Sequence, residues 1–236
     1  GRSPLRSVWV STLLALACAL SCALSANAQE FVRPEVTNSF KAAQDALNSG
    51  QAENAITLAQ QTLSLPGITS VEKPVIQRTL AIAALQAKKF PLAILTLEAM
   101  LQEMPEGTPA AQKIPLIEAL LSASDQAQDL SKLVTWARIY FKLEGGNPSI
   151  RPVFIQSLVK LNRHEEVIQE VKEKIRLDEV AKVKTPESDW RLLAFSQRQI
   201  KDDVAYNNTL KILLQNYPSK AYWAELIARL ARQANF

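Results

Sequence analysis

The chain has 236 residues, with 27 Lys plus Arg, 23 Asp plus Glu, one His and two Cys. A formal net charge of +4 and 47% hydrophobic residues exclude a disordered chain and argue against the clustered basic face of a nucleic-acid binder. Only six Gly, 7 Phe, 4 Tyr and 4 Trp argue against a sandwich or barrel, whose strands need aromatic and β-branched residues between Gly-rich turns.

Arg2 and Arg6 precede an uncharged run over 8–24, and Ala26-Asn27-Ala28 follows. A basic start, an apolar stretch and a small-x-small site make 1–28 a secretory signal peptide, with 29–36 a short lead. Cys18 and Cys22 both fall in the leader, so the exported chain relies on no disulfide in an oxidising compartment. Ala19-Leu20-Ser21-Cys22 and Ala15-Leu16-Ala17-Cys18 loosely resemble a bacterial lipobox, with Ala where Leu is usual. Soluble export to the periplasm and lipid attachment at Cys18 or Cys22 thus stand as alternative readings. An uncleaved anchor is a third, because a span needs roughly 20 apolar residues.

Helical periodicity fills 37–236. Phe40, Ala43 and Leu47 share one face, Gly50 breaks, and Ala52, Ala55, Ile56, Ala59 and Leu63 share the next before Pro66-Gly67. The second pair has Ile76, Leu80, Ala83 and Ala84, a Lys88-Lys89 turn, then Phe90, Ala93, Leu97 and Leu101 up to Pro105. A third pair covers about 113–127 and 130–143, closed by Gly145-Gly146-Asn147-Pro148. A fourth has Phe154, Leu158 and Leu161, a turn at Asn162-Arg163, then Val167, Val171 and Ile175. The fifth has Trp190, Leu193, Ala194 and Gln197, a turn near Lys201-Asp202, then Leu210, Leu213 and Leu214. A last helix over 221–234 carries Trp223, Leu226, Ile227 and Leu230 on one stripe, read as buried, with Tyr222 pointing elsewhere.

The pairs repeat. Ala55, Ala93, Leu133, Val167 and Tyr206 open the second helices, at gaps of 38, 40, 34 and 39. Four later stand Ala59, Leu97, Ala137, Val171 and Leu210, and seven later Thr62, Met100, Tyr140, Lys174 and Leu213. Trp190, Leu193, Ala194, Leu210, Leu213 and Pro218, with Phe90, Ala93, Leu97, Met100 and Pro105, and with Gly50, Ala55 and Ala59, resemble the tetratricopeptide repeat (TPR). That resemblance implies an all-α, TPR-like α-α superhelical solenoid of about five hairpins plus a C-terminal capping helix. Units three and four diverge, with Leu133 and Val167 in place of Ala and no closing Pro.

Little points to catalysis. His164 starts a helix with no second His or Cys at a ligand spacing, and reads as a surface residue. Gly50, Gly67, Gly107, Gly145 and Gly146 all sit at helix ends and form no phosphate loop. No cofactor, metal or nucleic acid is expected, and the protein is read as non-enzymatic. The TPR resemblance implies that the first helix of each pair lines a groove for protein or peptide partners. The matched positions are Gln44, Asn48, Arg78, Gln86, Arg191, Arg198 and Gln199, and the divergent units add Gln126, Gln156 and Lys160. Gln44, Arg78, Gln86, Arg191, Arg198 and Gln199 are the principal candidates: amide-rich, basic, and suited to a peptide backbone and its carboxylates. Phe40 and Gln44 stand where a carboxylate clamp for Hsp70/Hsp90 tails needs Lys and Asn. Trp190 with Tyr217 through Leu226 also looks like the ends of exported bacterial TPR proteins associated with TonB–ExbB–ExbD systems, implying an envelope energy-transduction accessory. The alternative is an envelope lipoprotein acting as an assembly factor.

Overall fold

The computed structural model describes residues 33–234. The leader, with its cleavage site and both cysteines, lies outside the described residues. Eleven helices and no strand occur among the described residues, and none of these helices is long and apolar enough to cross a membrane. The chain divides into two compact units at Gly146 and Asn147.

The first unit contains α1 (Pro34–Asn48), α2 (Ala52–Leu63), α3 (Glu72–Gln86), α4 (Phe90–Glu103), α5 (Ala110–Gln126) and α6 (Leu130–Lys142). The second contains α7 (Ile150–Lys160), α8 (His164–Val180), α9 (Glu187–Gln199), α10 (Asp203–Asn216) and α11 (Lys220–Ala234). Within each unit every helix packs on the next in chain order, and in the first unit α1 also meets α3. This is the TPR-like array of hairpins that the periodicity predicts. The odd-numbered helices from α1 to α9 open the hairpins and the even-numbered ones from α2 to α10 close them.

One turn is used five times. Gly50, Lys88, Gln128, Asn162 and Lys201 all have φ between 55° and 74°. The amide of each donates to the carbonyl three residues back, and the next amide to the carbonyl five back from itself, at 2.8–3.1 Å. This pairing closes a helix C-terminus by satisfying its free carbonyls. The five turns recur at the same 38, 40, 34 and 39 spacing as the side-chain pattern, so each closing helix starts in the same register. Ala55, Ala93, Leu133, Val167 and Tyr206 are accordingly all buried, as are Ala59, Leu97, Ala137, Val171 and Leu210. Lys174 departs from its buried counterparts Thr62, Met100, Tyr140 and Leu213: it is half-buried and held by Asp189 at 2.5 Å and Asp178 at 3.4 Å. Burial opposes its charge, and the two carboxylates more than offset that, so its pKa is raised.

Helix α1 starts at Pro34, inside the segment read as a lead. Proline suits the first helical position, where no amide is needed, and Glu35 in the first turn faces the helix dipole. Helix α5 starts at Ala110, three residues before the expected Lys113, and carries Pro115 within it.

The terminal stripe corrects an expectation. Leu226 is buried, but Trp223, Ile227 and Leu230 are 55%, 61% and 46% exposed. Helix α11 turns a different face inward, with Tyr222, Glu225 and Arg229 bonded to Glu187, Tyr206 and Asn207. Tyr222 thus does point away from Trp223. Trp190 lies half-buried at the edge of the cluster formed by Ala194, Tyr206, Leu210, Leu213, Leu214 and Leu226.

Candidate functional site

Because the hairpin turns fix the register, residues ten, six and two before each turn lie on one stripe of an opening helix. The six principal candidates fall on such stripes or beside them. They divide between the units, three to each: Gln44, Arg78 and Gln86 in the first, Arg191, Arg198 and Gln199 in the second.

In the first unit Gln44 on α1 and Arg78 on α3 are half-buried, while Asn48, Gln86 and Gln126 are exposed at the last residues of α1, α3 and α5. Phe40 is 4% exposed and belongs to the core, so no clamp forms there. The Nε of Arg78 is buried without a hydrogen-bond partner, as is Oε1 of the neighbouring Gln77. Gln77 spends its amide on Glu103 at 3.4 Å, and Lys73 takes the same carboxylate at 2.7 Å. Arg78 therefore stands beside a carboxylate already occupied by other groups.

In the second unit Arg191, Arg198 and Gln199 are exposed on α9, and Gln156 and Lys160 are exposed on α7. Between Arg191 and Arg198 stands Phe195, 40% exposed. Its ring meets His164, at the start of α8, edge-on with centroids 5.5 Å apart, and His164 Nδ1 lies 3.4 Å from Ser196 Oγ. The expected surface histidine is thus half-buried beside an exposed phenyl ring. Phe195 escaped sequence reading because a Phe at helical spacing reads as core. Its place in the register, equivalent to Gln44 and Gln156, is the signal that would have found it.

Tyrosines engage the nearby carboxylates. Tyr222 donates to Glu187, and Tyr206 donates to Glu225 at 3.4 Å. Burial raises both phenol pKa values, and the carboxylates raise them further. Arg191 acts in the opposite sense on Tyr222, as Arg198 and Arg229 do on Tyr206. Arg191 and Arg198 themselves make no ion pair among the described residues. Elsewhere cations are matched: Lys132 holds Glu98 at 2.8 Å, where Trp136 also donates at 2.9 Å, and Arg151 binds Glu170. A cleft of about 400 Å³ between α8, α9 and α10 is lined by Lys172, Arg176, Trp190 and Asn208, among others. Among the described residues no three His, Cys, Asp or Glu side chains are grouped to hold a metal.

No protein-family model matches the sequence, and no curated protein matches it. Among solved structures the chain is similar to MamA of AMB-1, at 18% identity and a TM-score of 0.47, over 79% of this chain and 95% of MamA. It is similar to nearly identical TPR-like repeats from Podospora anserina assigned to a kinesin light chain, at 13% identity and 0.45, over 78% of this chain and 98% of that one. PilF of Pseudomonas aeruginosa follows at 13% identity and 0.35, over 82% of this chain and 97% of PilF. Likeness at this level carries no assignment of ligand or role. The fold reading rests on the helices and turns described above.

Proposed function

We propose that the protein is a non-enzymatic scaffold that binds an extended, carboxylate-bearing peptide segment of a partner protein along its opening helices. The observation that supports this reading is the set of unmatched cations there. Arg191 and Arg198 are exposed and unpaired among the described residues, and Arg78 Nε is buried and unpaired. A buried donor left without a partner is costly, and a guanidinium suits a carboxylate bidentately. Phe195 between the two arginines adds an apolar contact, so the favoured segment alternates acidic and apolar side chains.

The leader supports an exported, periplasmic protein, with a lipid-anchored envelope assembly factor as the alternative from Cys18 and Cys22. Mass spectrometry of the mature N-terminus distinguishes them: a start at Gln29 supports the first, an acylated Cys the second. The closing segment supports the narrower role of an accessory to TonB-dependent energy transduction.

Capture from envelope extract tests the binding reading. Arg191→Glu with Arg198→Glu should reduce capture at least about tenfold, because each charged hydrogen bond contributes about 1.5–3 kcal/mol. The far-UV helical signal should not change, since both side chains are exposed. Undiminished capture would leave these stripes without a binding role.

A further inference from the structure

Helix α11 occupies the place of a sixth opening helix. Trp223, Leu226, Ile227 and Leu230 each stand 33 residues after Trp190, Leu193, Ala194 and Gln197. On α9 that face is covered. Leu193, Ala194 and Gln197 are buried, Ala194 clusters with Tyr206, Leu210 and Leu213 of α10, and Gln197 Oε1 accepts from Thr209 of α10 at 2.8 Å. On α11 the equivalent face is bare, with Trp223, Ile227 and Leu230 about half exposed or more. The polar groups of α11 are those turned toward its neighbours: Arg229 binds Asp203 and stacks over the Tyr206 ring at 4.4 Å. A helix with polar contacts inward and an i, i+4, i+7 apolar stripe outward is the reverse of a solvated surface helix. It has the form of a helix-docking face.

We propose that this stripe docks an acidic amphipathic helix of a partner protein, seated on α11 as α10 is seated on α9. The stack itself specifies a helix, since α11 continues the packing in which each opening helix receives a closing one. Charge specifies an acidic one. Lys220 and Arg232 are exposed at the two ends of the stripe and have no carboxylate partner among the described residues. The helix's acid, Glu225, is already engaged by Tyr206 and lies 3.9 Å from Arg229. A second copy of α11 would bring the same Lys220 and Arg232 against themselves, which disfavours self-pairing. The docking face is separate from the stripe that carries Arg191 and Arg198, so the two readings fail independently.

The probe is a hydrocarbon-stapled peptide of residues 203–216 carrying Lys211→Glu and Gln215→Glu, two positions exposed on α10. Added to the full chain, it should produce a saturable blue shift of tryptophan emission that is absent in Trp223→Phe. Ile227→Glu, at a position exposed enough to accept it, should weaken binding at least about tenfold. A peptide with Lys at both probe positions should bind several-fold more weakly than the acidic one. No saturable shift, equal binding by Ile227→Glu, or no preference between the two peptides would overturn the proposal. Two further results would also overturn it by naming another occupant. One is a concentration-dependent dimer lost in Ile227→Glu, which gives the face to a second copy. The other is a Trp223 already shielded from acrylamide in the free full chain, which gives it to residues 1–32.

Discussion

Glu72 joins three segments. Its Oε2 accepts the Thr69 amide at 2.8 Å, its own amide donates to Thr69 Oγ1 at 3.2 Å, and Arg33 reaches the same carboxylate at 3.2 Å. Arg33 also donates to the carbonyls of Pro66 and Gly67. The Thr-x-x-Glu pair is a capping box that satisfies two free amides at the start of α3. The Thr69 amide is the main cause that holds the Glu72 carboxyl below the ordinary carboxylate value, with the Thr69 hydroxyl and Arg33 adding to it against burial. A depressed folded pKa means the stabilisation is complete above the unfolded value. It is lost as pH falls through the folded one. Glu72→Gln should therefore be less stable than the native chain at neutral pH, and the gap should close at about pH 3, below the usual carboxylate range. Urea midpoints at the two pH values check this, and a pH-independent gap would contradict it. Gly145 is a second single-residue constraint. A Cβ there would lie 2.2 Å from the ring of fully buried Tyr140, whose hydroxyl is fixed on Glu118 at 2.8 Å. Gly145→Ala should cost about 1–3 kcal/mol in urea unfolding, as overpacking does.

At the scale of the element, the five hairpin turns carry an unequal load. Gly50 adopts its positive φ freely, whereas Lys88, Gln128, Asn162 and Lys201 adopt theirs against the Cβ clash. Lys88→Gly and Lys201→Gly should each raise stability by up to about 1 kcal/mol, and Gly50→Ala should lower it by a similar amount, in denaturant melts. Opposite signs would show that the lysine side chains contribute more than backbone relief. These turns mark what the sequence makes legible. The hairpins could be read because small and apolar residues recur at helical spacing and the gaps repeat. The left-handed turn residue could not, because Lys and Gln carry no turn preference of their own and tertiary packing imposes the conformation. The candidate stripes were legible in register and residue type. Phe195 and the bare face of α11 were not, since an apolar residue at helical spacing looks the same whether a neighbour covers it or not.

Each unit, taken as a whole, distributes its core unevenly along the stack. Helix α3 has nine buried residues and α5 eight, each with a helix packed before and after it. Helix α11 packs on α10 and turns Trp223, Ile227 and Leu230 to solvent. In an array whose stability is a sum of nearest-neighbour interfaces, a helix with one covered face opens before one with two. Hydrogen exchange on the full chain should show α3 and α5 as the most protected segments and α11 amides at least about tenfold less protected than those of α9. The difference comes from burial alone, since α9 and α11 share the same register and the same Trp at its start. Adding the acidic helical probe should raise α11 protection and leave α3 and α5 unchanged, because covering one interface adds only its own nearest-neighbour energy. Protection of α11 equal to that of α3 in the free chain would mean that its outer face is already covered.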